Sequence, residues 1–269
     1  MDINGNYNRP VKVADGIFWI GVYEPEANLH CNAYLLVEGE HALIIDGGSR
    51  PDFANIMMKI LQAGVQPQKI AGLIYQHYDP DLCGSLSNYI DLCDNKDLKI
   101  YSKASNNMFL RYYFEKSHHA KLTDIGVSNY ELDFYGRRLK FIKTPYTHAA
   151  GSFVTFDELT GTLFTSDLFG SFSQKWRLFE EFNDGCLTCN EYGNCPNHVD
   201  YCPLPDLISF HQHVMPCNKS LSYSMGLLEK LPVKIIAPQH GSVYNKKRDI
   251  AFLISLLKDL KEVGMDAIA

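Results

Sequence analysis

The sequence predicts an α/β fold in which strands and helices recur in both halves of the chain. Three observations carry that reading. Apolar runs of strand length alternate with helix-length amphipathic segments along the whole chain. Strand-rich and helix-rich stretches recur in both halves, as a helix–sheet–sheet–helix sandwich requires. Four apolar runs also end on a metal-capable side chain, which is how an open-sheet scaffold assembles a site at its strand ends.

Taken in order, strands are expected near 11–22, 32–39 and 41–46, then a helix over about 51–64. The run Ile70 to Tyr75 reads as a buried strand feeding a polar loop, with a helix over about 84–93 beyond it. A strand near 98–103, a helix near 104–115 and strands near 129–135, 137–144, 152–158 and 161–166 follow. Helical sequence after Asp206 is interrupted at Pro216, because proline removes a helix donor and clashes with the preceding turn. A strand near 233–238 and a helix over about 246–263 complete the pattern.

With 269 residues the chain can bury a large core as one domain over 1–269. Lys plus Arg number 25 against 31 for Asp plus Glu, a net charge of −6, and no basic run stands out. That argues against a nucleic-acid partner. Arg137-Arg138 and Lys246-Lys247-Arg248 read as short solvated faces. Met1-Asp2-Ile3-Asn4 lacks the regions of a signal peptide, and no apolar run approaches the roughly 20 residues of a membrane helix. The expectation is a soluble, cytoplasmic protein with no membrane partner; a homodimer is left open.

The chemistry concentrates in His77-Tyr78-Asp79-Pro80-Asp81-Leu82-Cys83-Gly84-Ser85. A His and two carboxylates at alternating positions on a strand exit can converge on a metal. The mixed nitrogen and oxygen donors suit iron or manganese better than an all-His zinc site. The bland alternative is a polar strand-to-helix loop with a capping Asp. His148, Asp167 and His240 each follow a further apolar run. One such histidine is usually structural; four strand exits of the same form are hard to explain that way.

In their order and spacing these residues resemble the metallo-β-lactamase fold, and within it the diiron domain of the flavodiiron proteins, the oxygen and nitric oxide reductases. Asn32-Ala33-Tyr34-Leu35-Leu36 with Leu43-Ile44-Ile45-Asp46 is similar to that family's opening hairpin. His77-x-Asp79-x-Asp81-x-x-Gly84-Ser85 is similar to its first ligand motif. The resemblance implies a four-layer αββα sandwich. It implies that His77, Asp79 and His148 hold a first iron, that Asp81 and His240 hold a second, and that Asp167 bridges them.

Two positions depart from the family pattern. Asp79 stands where Glu is usual, and Leu82 stands where His is frequent, so the second iron would lose a nitrogen ligand. A His in place of Leu82, expected to face the site, would restore it. Hydrolases of the superfamily carry His-x-His-x-Asp-His at this motif; Asp79 and Leu82 argue against a dizinc hydrolase and for iron.

A second cluster is Cys186-x-x-Cys189 with Cys195 and Cys202, four of the eight cysteines, in a stretch of about 184–204 that looks inserted. In a cytoplasmic protein such a set suggests a metal centre before disulfides. An iron–sulfur cluster is expected ahead of zinc or free thiols, and His198 is a candidate to replace one thiolate. Cys31, Cys83, Cys93 and Cys217 read as small apolar packing residues. His118, His119, His211 and His213 read as structural, while Tyr23, Tyr78 and Tyr146 flank ligand loops.

A ferrous pair can donate two electrons, whereas reducing dioxygen to water takes four. No Gly-rich flavin loop is visible, so no flavin is expected. The functional expectation is a non-heme diiron protein that binds dioxygen, with slow reduction at most, as an oxygen or redox sensor with a signalling partner. If it is an enzyme, it is an oxidoreductase acting on oxygen or nitric oxide and fed by an external electron donor. A metal-dependent hydrolase and a module with a purely structural metal are the remaining alternatives.

Overall fold

The strand-length runs build two mixed sheets of seven strands each. The structure is a computed structural model that describes residues 7–23, 29–172, 175–189 and 201–268. The first sheet runs in chain order through β1 (Val11–Ala14), β2 (Ile17–Trp19), β3 (Tyr34–Glu38), β4 (His41–Ile45), β5 (Ile70–Ile74), β6 (Lys99–Ser102) and β7 (Leu122–Asp124). The second contains β8 (Glu131–Phe134), β9 (Arg137–Lys143), β10 (Phe153–Asp157), β11 (Thr162–Phe164), β12 (Phe179–Glu180), β13 (Ile235–Ala237) and β14 (Val243–Tyr244), in the order β12-β14-β13-β11-β10-β9-β8.

Side-chain alternation along the strands generates the layers, because successive residues face opposite sides of a sheet. Tyr34 and Leu36 of β3 and Leu43 and Ile45 of β4 face the second sheet, where they meet Leu139, Phe141, Phe153 and Phe164 in a shared core. Their neighbours Leu35 and Ile44 point outward to helices α1 (Phe53–Gln62) and α3 (Leu86–Cys93). On the second sheet Val154, Leu163 and Ile236 point outward to α5 (Leu204–Val214), α6 (Asn218–Leu228) and α7 (Lys247–Asp259). Three apolar interfaces therefore separate four layers, the αββα sandwich expected. Each fully buried large side chain in them contributes roughly 1.5–3 kcal/mol.

Differences from the sequence expectations have local causes. The long first strand is a hairpin, β1 and β2, turned at Asp15-Gly16, where Gly16 takes a φ of +66°. The loop after β5 is helical earlier than expected: Pro80 opens the short helix α2 (Pro80–Cys83) ahead of α3. Helix α4 (Ala104–Leu110) stops early, and a 3₁₀ segment, Lys116–Lys121, follows it. Arg137 is not a solvated face. It is buried, and its Nε and Nη2 donate to the two oxygens of buried Asp157 at 2.9 and 2.7 Å. Losing one partner of such a pair costs about 3–5 kcal/mol. Among the described residues no helix is long and apolar enough to cross a membrane.

Candidate metal centre

All four expected strand exits open on one rim. His77 follows β5, His148 follows β9, Asp167 follows β11 and His240 follows β13. Parallel pairing of β11 with β13 sets Asp167 beside His240. Backbone bonds then join the two sheets at this rim: Phe153 N donates to Gln76 O at 3.3 Å, and Asn32 N to Gln239 O at 2.6 Å.

Two groups of donor atoms result, each gathered within 4.8 Å. One is His77, Asp79 and His148; the other is Cys31, Asp81 and His240. Asp167 stands between them. Its Oδ2 lies 2.9 Å from His148 Nε2 and 3.8 Å from His77 Nε2, and its Oδ1 lies 3.7 Å from His240 Nε2. Within each group, His148 Nε2 is 3.2 Å from Asp79 Oδ2, and His240 Nε2 is 3.1 Å from Asp81 Oδ2. Asp79 occupies the N-cap position of α2, yet its side chain makes no capping hydrogen bond. The capping explanation of this loop therefore fails, and the carboxylate faces His148 instead.

Buried polar atoms in proteins nearly always have partners. Asp167 Oδ1 is buried and has no hydrogen-bond donor, so the donor set fits a cation lodged between the groups. The electrostatics agree. Burial acts to raise the Asp167 pKa, but His77, His148 and His240 outweigh it and hold the carboxyl well below the usual range. Burial acts to lower His148, but hydrogen bonds with Asp167 and Asp79 outweigh it and lift the imidazole to about 10. His240 is likewise raised, against burial, by Asp81, Cys31 and Asp167. A positive charge is wanted at the Nε2 positions, and a metal ion can take the place of those protons.

Neighbouring groups orient the candidate ligands, as metal sites require. His240 Nδ1 lies 2.9 Å from His30 O. A carbonyl can only accept, so Nδ1 carries the proton and Nε2 keeps its lone pair for the site. His77 Nδ1 is 2.7 Å from Ser166 Oγ, and Gln239 Nε2 donates to Asp81 Oδ2 at 2.7 Å. Asp46 accepts from Gln76 N and Nε2 at 3.1 and 2.7 Å, and burial pushes it up to about 6. His211 braces the Asp167 loop: its Nε2 accepts from Phe169 N at 3.0 Å while its Nδ1 donates to Leu207 O at 2.7 Å.

Several expectations change. Cys31 is not simply a packing residue; it joins Asp81 and His240. It was missed because it enters a strand rather than leaving one. Leu82 does not line an exposed part of the loop: it is fully buried in the core beneath α1 and α3. The Tyr78 ring stacks on Phe109, and Tyr23 stacks on His30. Cys195 and His198 lie outside the described residues. Cys186 packs into the apolar core under α5 and α7, and neither donor group found among the described residues contains Cys186, Cys189 or Cys202. The iron–sulfur expectation therefore finds no support there.

Comparison with known proteins agrees with this architecture. A family model described as ODP family beta lactamase matches residues 29–241. The coenzyme F420H2 oxidase of Methanocaldococcus jannaschii is 25% identical over 254 residues, covering 88% of this chain and 57% of the relative. The chain thus spans little more than half the length of that curated relative. The chemotaxis sensor ODP, solved as its peroxy diiron species, superposes with a TM-score of 0.73 at 21% identity, covering 96% of this chain and 97% of the other. The flavodiiron protein of Giardia intestinalis gives 0.75 at 17% identity, covering 93% of this chain and 58% of the other.

Proposed function

The chain belongs to the ODP family of β-lactamase-fold proteins, and from that premise we propose that it is a non-heme diiron protein that binds dioxygen and serves as an oxygen or redox sensor. His77, Asp79 and His148 would hold the first iron, Asp81 and His240 the second, with Asp167 shared. The observation that carries this reading is the division of Asp167, with Oδ2 toward one group and Oδ1 toward the other. A ferrous pair bound there would supply two electrons and an open coordination position to a diatomic ligand. The residues divide the remaining work. His77, Asp167 and His240 are nearly inaccessible and fix the floor of the site. Asp79, Asp81 and His148 keep 37%, 29% and 26% of their side-chain surface exposed, which leaves an entrance for a small ligand. Ser166 and Gln239 hold His77 and Asp81 in place, and Asp46 anchors the Gln76 backbone next to His77.

The sensor reading is supported by the likeness to a protein named a chemotaxis sensor. Oxygen or nitric oxide reduction with an external electron donor is the second reading, favoured by the likeness to an oxidase. Protein produced anaerobically with iron should contain two irons per chain. Its reduced form should change absorption on exposure to oxygen without sustained oxygen consumption. Continuous consumption with an added reductase would favour the oxidase reading, and stoichiometric zinc with ester hydrolysis would overturn both.

A further inference from the structure

We infer that Cys31 is a thiolate ligand of the second metal ion, completing with Asp81 and His240 a sulfur–oxygen–nitrogen half-site. The inference deepens the diiron reading and rests on it. Three separate chain segments bring the donors together: the entry to β3, helix α2 and the exit of β13. Their donor atoms lie within 4.8 Å of one another, as do those of His77, Asp79 and His148. A second observation points to a ligand at this place. The Asp167 oxygen that faces His240 is the buried Oδ1 without a donor. It lies 3.7 Å from His240 Nε2, on the side of the shared carboxylate that the Cys31, Asp81 and His240 group occupies.

The Cys31 segment is held firmly rather than by chance. Val22 N donates to Cys31 O at 3.2 Å, and Asn32 N donates to Gln239 O, next to His240, at 2.6 Å. Asn32 Nδ2 donates to Pro238 O and Gly241 O at 3.0 and 2.8 Å, clamping both sides of the His240 turn. The residue before Cys31 supplies the carbonyl that fixes the His240 tautomer. One short segment thus positions one candidate ligand and orients another.

The chemistry fits a divalent ion of borderline softness, ferrous iron on the reading above. Thiolate is an accepted donor to iron as well as to zinc. Binding replaces the Sγ–H bond with an Sγ–metal bond, and the proton leaves to solvent. Leu82, buried in the outer core, supplies no donor to this half-site. Cys31 makes up the count from a different segment of the chain.

The test uses the whole chain, made metal-free under anaerobic conditions and then loaded with two equivalents of ferrous iron or cobalt(II). Iodoacetamide labelling read by peptide mass spectrometry should show Cys31 protected by about tenfold or more on loading, while Cys217 labels alike in both forms. Cobalt loading should give a sulfur-to-metal charge-transfer band, and Cys31→Ser should remove that part of it while still binding cobalt. If two metals bind, yet Cys31 labels as fast as in the metal-free chain and Cys31→Ser leaves the band intact, the inference is wrong and the paired-metal reading stands. If the wild-type chain binds neither metal, both fall together.

Discussion

The two donor groups on either side of Asp167 are built from the same rim but not from the same chemistry. His77, Asp79 and His148 give two imidazoles and a carboxylate, all from strand exits on facing sheets. The second group gives one imidazole and one carboxylate, with a cysteine from a strand entrance. His148 lies within hydrogen-bonding distance of Asp79 in its own group and of the shared Asp167, whereas His240 approaches Asp81 more closely than Asp167. One scaffold thus places two chemically unequal donor groups on either side of a single buried carboxylate. The group with two imidazoles, His77, Asp79 and His148, should bind its ion first and hold it more tightly.

The most damaging change to both sites at once is Asp167→Asn. It keeps the shape but removes the negative charge that three imidazoles face. Metal analysis should find less than one ion per chain, a loss of affinity of about 100-fold or more at both positions. Retention of two ions would break the idea of a shared carboxylate.

Paired deletions should then separate the halves. His148→Ala should empty the first site and leave the second, and His240→Ala should do the reverse, each costing one ion per chain by metal titration. Equal loss from both sites in either variant would show that the two are not independent positions.

Smaller effects should follow from the orienting groups. Ser166→Ala frees His77 Nδ1, and Gln239→Ala frees Asp81 Oδ2. Each should weaken its own site by about tenfold, visible as a shifted midpoint in chelator competition.

The gentlest probe of the comparison is pH, applied to the metal-free chain. The raised His148 pKa of about 10 gives stability that is full below about 6.5 and is lost as pH rises through about 10. Loading metal should remove that limb, because the ion replaces the proton. His211 behaves oppositely. Burial pushes it down to about 4 from 6.5, so the unfolded chain takes up a proton that the folded chain refuses, and stability falls as pH drops across that interval. The contribution is on the order of 3 kcal/mol. Denaturant titrations should show this acid limb in both loaded and metal-free protein, and His211→Asn should flatten it.

Much of this was readable before the structure. Strand β5 could be placed because every one of its residues is buried, which leaves an unbroken apolar run. Strands β7, β12 and β14 could not, since two or three residues are too few to show a period. The strand-exit pattern singled out His77, Asp79, Asp81, His148, Asp167 and His240, side chains that the fold brings together at one rim. Cys31 escaped it because it enters a strand, and tertiary bonds such as those from Asn32 to Gln239, Pro238 and Gly241 carry its segment to the rim. Ser166 and Gln239 each precede a ligand candidate by one residue and were legible in principle. The His30 contribution was not, because it is a backbone carbonyl and leaves no trace in side-chain identity. Leu82 shows the opposite failure: its place at a position where the resembled family often carries His suggested that it faces the site, but the turn of α2 buries it in the core.

Two metal ions in unequal surroundings should be distinguishable by Mössbauer spectroscopy of the anaerobically reduced protein loaded with isotopically enriched iron. Two ferrous quadrupole doublets of equal area are expected, with Cys31→Ser shifting only one of them. A single doublet from one iron per chain, or a chain that takes up no iron at all, would contradict this expectation.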